Sequence, residues 1–281
     1  MAWPGAGARS ADGRGVVRAR VVADRDRRVE RGDRGRAVNA LKVEMFEGLC
    51  TTRAIRRYLP DPIPAEHLAK ILFAATRAPS GANRQPVRFV VLRGGDAGRP
   101  AREVLGRAFR VAWAAKRNSD SFYRSDGSDP DSPRTRQART IQHYVDHLED
   151  VPVIVLLCAR LRDGTMSFLD GASVYPAGQN LLLAARALGY GGVFSVWHLL
   201  AVDELKAAAG IPDDVTVAGV VTLGKPAGRH GPVRRVALAD VVYDETWEQP
   251  AEWAADPPGT RLTRPGPAAP VRPRPPSGGA E

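Results

Sequence analysis

One stretch of nine residues, Val151–Ala159, limits the fold more than any other part of the chain. Apart from Pro152 it is Val, Val, Ile, Val, Leu, Leu, Cys and Ala. A strand turns alternate side chains to opposite faces, so one that is apolar at every position must be covered on both. The chain therefore has to supply helices for two sides of a sheet, and the spacing of its apolar residues does so. Behind Pro64, which suits a first helical turn, Leu68, Ile71, Leu72 and Ala75 recur at helical spacing. Residues 101–117 set Val104, Leu105, Ala108, Val111 and Ala112 on one face, and a further helix runs from Arg134 to about Glu149. Ala172–Leu188 carries the longest stripe, through Val174, Ala177, Leu181, Ala184, Ala185 and Leu188, and Gly189 stops it. Leu41–Leu49 and Val202–Ala209 are shorter helices; Val87–Leu92, Gly192–Trp197 and Val215–Leu223 are further strands. This alternation predicts a layered domain over residues 41–255 and, taken alone, a parallel sheet.

The ends differ from this domain. Residues 1–40 hold ten arginines against five acids and show no periodicity; too few apolar side chains are present to offset the cost of ordering the backbone. They are expected to form a disordered basic extension, either a real tail or translation from an early start. The Pro- and Gly-rich residues 256–281, with four arginines against two acids, are expected to be a second disordered tail. Of the net charge of +10, only +3 then belongs to residues 41–255. That partition, and the lack of interleaved aromatic and basic residues, argues against a nucleic-acid binder. No apolar run approaches the roughly 18 residues a membrane helix needs. Two cysteines, Cys50 and Cys158, are too few for a disulfide framework and fit a cytoplasmic protein.

Two polar segments carry the chemistry. The first is Thr51-Thr52-Arg53-Ala54-Ile55-Arg56-Arg57-Tyr58. Arg53 and Arg56 are three positions apart, so a helix or tight turn would set them on one side, where two guanidinium forks can hold a phosphate dianion. Arg235, just after the last strand, is a third candidate cation. The second segment, Ala78-Pro79-Ser80-Gly81-Ala82-Asn83-Arg84-Gln85-Pro86, is a turn between a helix and a strand. Asn83 and Gln85 offer amides able to pair with the edge of a flat heterocycle. Each segment alone also fits a blander reading: solvated arginines, and an ordinary loop of turn-forming residues.

In order, these segments resemble the nitroreductase family of flavoproteins. The resemblance extends to the helix Gly171-Ala172-Ser173-Val174-Tyr175-Pro176-Ala177-Gly178-Gln179-Asn180, to Leu188-Gly189-Tyr190-Gly191-Gly192-Val193, to Leu223-Gly224-Lys225-Pro226-Ala227 and to Arg234-Arg235, spanning residues 45–247. It implies an α+β, three-layer fold with a central, mainly antiparallel sheet, in place of the parallel one. It also implies a homodimer with two FMN sites at the subunit interface. NADH or NADPH would be the electron donor, and an electrophilic small molecule (a nitroaromatic or quinone) the acceptor, in a ping-pong reaction. By the same resemblance Arg53, Arg56 and Arg235 would hold the ribityl phosphate, with the Ala54 backbone beside the ribityl chain. Pro79, Ser80, Asn83 and Gln85 would line the isoalloxazine from the other subunit. Phe194 and Ser195 would lie along the ring, and Gly224 would let the last strand pass close to the cofactor. No side chain is assigned as a general acid. The family pattern is broken at Thr52, often arginine, at Ala54, often serine, and at Val87, often tryptophan. Members of the fold also dehalogenate, form azoles or fragment flavin, and a flavin-storing protein with little turnover is the alternative function.

Three look-alikes are set aside. His143 and His147 have a zinc-like spacing, but Tyr144 stands where a zincin has glutamate. Gly189-Tyr190-Gly191-Gly192 follows a helix and precedes a strand, the reverse of a dinucleotide fingerprint. Cys50 reads more readily as a small packed residue than as a thiolate.

Overall fold

The computed structural model describes residues 43–119, 132–161, 168–228, 230–233 and 235–257. Residues 1–40, the loop at 120–131 and all but the first two residues of the 256–281 tail lie outside this set. Everything described falls within one unit, Lys42–Glu281.

The helices are α1 (Met45–Thr51), α2 (Ala65–Ala75), α3 (Arg99–Ser119), α4 (Pro133–Asp146), α5 (Phe168–Ala187) and α6 (Val202–Ala208). The strands are β1 (Val87–Leu92), β2 (Val153–Arg160), β3 (Gly191–Ser195) and β4 (Val215–Gly224), in the sheet order β1-β2-β4-β3. Every ladder is antiparallel. The parallel sheet suggested by alternation is thus replaced by the antiparallel one. The connections give the reason: two long helices, α3 and α4, separate β1 from β2, so the chain returns to the sheet reversed.

The alternation of β2 builds the layers. Ile154, Leu156 and Cys158 face a core with Val104, Leu105, Phe109 and Trp113 of α3 and Ile141 and Tyr144 of α4. Val153, Val155, Leu157 and Ala159 face a second core with Leu68 and Ile71 of α2 and Val174, Leu181 and Ala185 of α5. Each fully buried Leu or Ile contributes about 1.5–3 kcal/mol. A helix layer lies on each side of the sheet, as the apolar run of β2 requires. Among the described residues no helix is long and apolar enough to cross a membrane.

The segment after α1 extends the sheet beyond β3. The Ile55 N–H donates to the Gly192 carbonyl at 2.9 Å, and the Leu59 N–H to the Lys225 carbonyl at 2.8 Å. In return the Ala227 N–H donates to the Arg57 carbonyl and the Val233 N–H to the Cys50 carbonyl, each at 3.0 Å. Residues 50–59 are clamped between β3 and the chain that follows β4. Glycine at 192 is needed for this approach, because a Cβ there would lie 2.4 Å from the Thr222 carbonyl oxygen.

Candidate functional site

Helix α1 stops at Thr51, and Thr52 is already extended. Arg53 and Arg56 therefore do not converge by helical spacing, as the sequence suggests. They converge because the clamped segment forms one wall of a cleft. That cleft, about 1070 Å³, is lined by Arg53, Ala54, Arg56 and Arg57, by Pro133, Arg136, Gln137, Arg139 and Thr140 of α4, and by His230, Pro232, Val233 and Arg235. Four of the expected site residues, Arg53, Ala54, Arg56 and Arg235, thus share one surface. The Arg53 Nη1 donates to the Gly231 carbonyl at 3.3 Å, tying the first wall to the last.

A buried hydroxyl cluster ties the arginine segment to the sheet. The Tyr58 hydroxyl donates to the Ile55 carbonyl at 2.5 Å and lies 2.9 Å from Thr222 Oγ1. The Tyr144 hydroxyl reaches the same Oγ1 at 3.0 Å. Burial first, and then the neighbouring Tyr144, pushes the Tyr58 phenol well above its ordinary pKa; burial raises Tyr144 too. Both remain neutral donors, joining the arginine segment and α4 to β4. The space above Gly224, where a Cβ would meet Tyr58 Cδ1 at 2.8 Å, is taken by the Tyr58 ring.

The second polar segment lies elsewhere. Ser80 Oγ accepts from the Gln85 N–H at 2.9 Å, and Gln85 Nε2 donates to Asn83 Oδ1 at 3.2 Å. These bonds leave the Asn83 amide N–H groups and the Gln85 amide oxygen for an outside partner. Ala82, Asn83 and Gln85 have φ of 51°, 52° and 50°. Left-handed backbone costs a non-glycine residue on the order of 1–2 kcal/mol. Three such residues within four positions hold a strained turn, a feature that gathers at binding sites. Pro79 precedes it, exposed like most of the segment.

Sheet register separates the two segments. Val87, the first residue of β1, is opposite Ala159, which is opposite Thr216; Gly192, beside the arginine segment, is opposite Leu223. Seven residues along β4 and three strand spacings across give a diagonal of roughly 25 Å. One chain therefore holds the arginine cleft and the strained turn at opposite corners, too far apart for one small ligand. Phe194 and Ser195 are in neither place. The Phe194 ring fills the space over Gly178 and Gly219 and meets Tyr175 edge-on at 5.7 Å, while Ser195 Oγ accepts from the Trp197 N–H.

Other aromatic and histidine rings also have places. Trp197 belongs to the core, 5.6 Å from Phe109 and 6.4 Å from Trp113 between centroids. His198 is fully buried, with Nε2 2.8 Å from the Val217 carbonyl. The His143 and His147 rings lie 4.3 Å apart, and among the described residues no third ligand joins them. Burial raises the Cys158 thiol to about 11, so it stays protonated. Sequence reasoning missed Arg57, Arg136, Arg139 and His230. A usable signal was present, since Arg136 and Arg139 are three apart on α4 and share a face.

Comparison with known proteins places the fold in a family. An NADH dehydrogenase of Thermus thermophilus is 31% identical over 68% of this chain and 90% of its own length. A 5,6-dimethylbenzimidazole synthase of Rhodospirillum rubrum is 30% identical over 63% of this chain and 80% of its own. Among solved structures, an FMN and NADPH-dependent nitroreductase from sphigopyxis sp. strain HMH shares the fold at a TM-score of 0.55. It is 20% identical over 73% of this chain and all of its own. The model of the nitroreductase family matches residues 50–225. That match covers more than half of the chain and takes in the sheet, the strained turn and the whole arginine segment; the protein is a member of the nitroreductase family.

Proposed function

We propose that the protein is an FMN-dependent oxidoreductase. It takes hydride from NADH or NADPH and reduces a small electrophilic acceptor such as a nitroaromatic or a quinone, donor and acceptor using one site in turn. The observation that carries this reading is the meeting of Arg53, Arg56 and Arg235 beside the Ala54 backbone in one open cleft. Guanidinium groups hold phosphate by paired, charge-assisted bonds, and the FMN phosphate is the group they suit. Bound FMN supplies reversible two-electron chemistry that no side chain provides. The names of the relatives, an NADH dehydrogenase and an FMN and NADPH-dependent nitroreductase, support the donor and the cofactor.

The strained turn supplies the other half of the socket, from a second copy of the chain. Asn83 and Gln85 would pair with the ring edge, with Pro79 and Ser80 fixing the turn. The separation of roughly 25 Å within one chain favours this sharing, because an FMN held at Arg53 cannot reach its own Asn83. Large apolar side chains left exposed in one chain, Phe46 of α1 at 73%, Phe73 of α2 at 63% and Trp247 at 79%, are candidates for cover by the second copy. The protein is read as a homodimer with two shared sites.

Complementation tests this sharing. One chain carries Arg53→Ala and Arg56→Ala; the other carries Asn83→Ala and Gln85→Ala. Each alone should lose flavin, while a mixed dimer purified on two tags rebuilds one of its two sites and should hold about half the wild-type flavin. Mixed dimers as empty as the parents would sink the shared socket.

A further inference from the structure

Arg53 and Arg56 face one cleft but are held in different ways. The Arg53 guanidinium has its own anchor on the Gly231 carbonyl. No hydrogen bond or ion pair among the described residues holds the Arg56 guanidinium, so its direction is set by its backbone. That backbone is fixed one residue earlier, at Ile55, which is buried. The Ile55 N–H donates to the Gly192 carbonyl, and the Ile55 carbonyl accepts from the Tyr58 hydroxyl. The second bond closes a short loop that carries Arg56 and Arg57, both of which line the cleft.

The protons of the hydroxyl cluster follow by elimination. A carbonyl oxygen only accepts, so the Tyr58 proton points to Ile55. Toward Thr222 Oγ1, 2.9 Å away, the Tyr58 oxygen then has to accept, which uses the one Thr222 proton. Tyr144, 3.0 Å from the same Oγ1, therefore donates to it. The chain runs from Tyr144 to Thr222, to Tyr58, to the Ile55 carbonyl, and the fully buried Thr222 of β4 is the link between the two phenols. Hydrogen bonds arranged head to tail in this way polarise and strengthen one another. Arg56 lies close to both phenols. Burial, and at Tyr58 then Tyr144, lifts their pKa values; against that act the bond to Thr222 and then the charge of Arg56.

We propose that Thr222 is a positioning residue for the cofactor phosphate: its hydroxyl, acting through Tyr58 and the Ile55 carbonyl, aims Arg56 and so makes the site prefer FMN to unphosphorylated riboflavin. The inference rests on the functional reading above and extends it from the arginines of the cleft to a buried hydroxyl beneath them. Valine in place of Thr222 keeps the shape of the side chain. It leaves the Tyr144 proton unmatched and the Tyr58 oxygen without a donor. Paired bonds from a guanidinium to a phosphate depend closely on geometry, and riboflavin has no phosphate to register the change.

Full-length wild-type protein and Thr222→Val, each freed of flavin, are titrated with FMN and with riboflavin by fluorescence. The ratio of the two dissociation constants is the readout. In Thr222→Val, FMN affinity should fall on the order of tenfold and riboflavin affinity by less than about twofold. Thr222→Ser keeps the hydroxyl and should restore the wild-type ratio. In an Arg56→Ala background Thr222→Val should change the ratio no further, because the side chain it aims is gone. An unchanged ratio overturns the proposal. An equal fall for both flavins also overturns it and makes the threonine purely structural. So does an effect of Thr222→Val that persists in full without Arg56. Tyr58→Phe breaks the same chain one link further on and is read by the same ratio, should Thr222→Val not fold. Wild-type protein that binds FMN no more tightly than riboflavin defeats the phosphate reading on which the proposal rests; a preference for FMN that is the same in wild type and Thr222→Val defeats the positioning role alone.

Discussion

Replacing Arg53 and Arg56 together by alanine will lower the affinity for FMN by about 10²–10⁴-fold while leaving the fold intact. A hydrogen bond to a charged group contributes about 1.5–3 kcal/mol, and each 1.4 kcal/mol is tenfold in affinity, so two lost guanidiniums give that range. The fold should survive because neither side chain belongs to a core. Arg53 is exposed and makes one bond to a backbone carbonyl, and Arg56 is half-buried at the cleft wall. Exposed substitutions of this kind stay within about 0.5 kcal/mol. The measurement is flavin content after gel filtration and fluorescence titration with added FMN, alongside a thermal melt. Unchanged retention would remove the phosphate role. A collapsed melting curve would show instead that the segment is structural.

The largest effect on stability should come from Arg102, which is 4% exposed. Its Nη1 donates to the Glu149 carbonyl at 2.9 Å and the Val151 carbonyl at 2.7 Å, and its Nη2 to the Leu92 carbonyl at 2.7 Å. One guanidinium from α3 thus ties the end of β1 to the turn that carries the chain from α4 into β2. Arg110 holds the same turn through Glu149 Oε1 at 2.8 Å. Arg102→Met keeps the volume and orphans three carbonyls, two of them buried and one half-buried. Each buried acceptor left unmatched costs about 1–3 kcal/mol, so a loss of about 3–5 kcal/mol is expected. For a domain of this size that lowers Tm by roughly 10 °C. Urea unfolding of wild type and variant measures it directly, and a loss under about 1 kcal/mol would mean that water replaces the guanidinium at the turn. Flavin affinity should fall as well, since α4 reaches the cleft from the turn that Arg102 holds.

Much of this architecture was written locally. Val87–Leu92 emerges as β1 with those bounds, and the stripe from Val174 to Leu188 as α5, because side-chain periodicity is a property of neighbours in the chain. Strand direction is not local. It depends on how α3 and α4 return the chain, and alternation alone gives the wrong answer. The site follows the same division. Arg53 and Arg56 are recognisable as phosphate ligands by type and order, yet helical spacing misstates why they meet. An extended segment clamped by Gly192, Lys225 and Ala227 brings them together, and those partners are some 130 to 170 residues away in sequence. Distance in the sequence hides the Tyr58–Thr222–Tyr144 cluster for the same reason. The diagonal separation of the arginine cleft from the strained turn needs the register of three ladders, which no composition or motif contains.

Anaerobic titration of the purified protein, reconstituted with FMN, is the most direct test of a flavin socket that serves a reductase. The protein should be yellow after free flavin is removed. NADPH or NADH should bleach it, and a nitroaromatic or quinone should restore the colour without oxygen. A protein that stays colourless after incubation with FMN contradicts the socket, and one that stays yellow under excess NADPH and NADH contradicts the reductase.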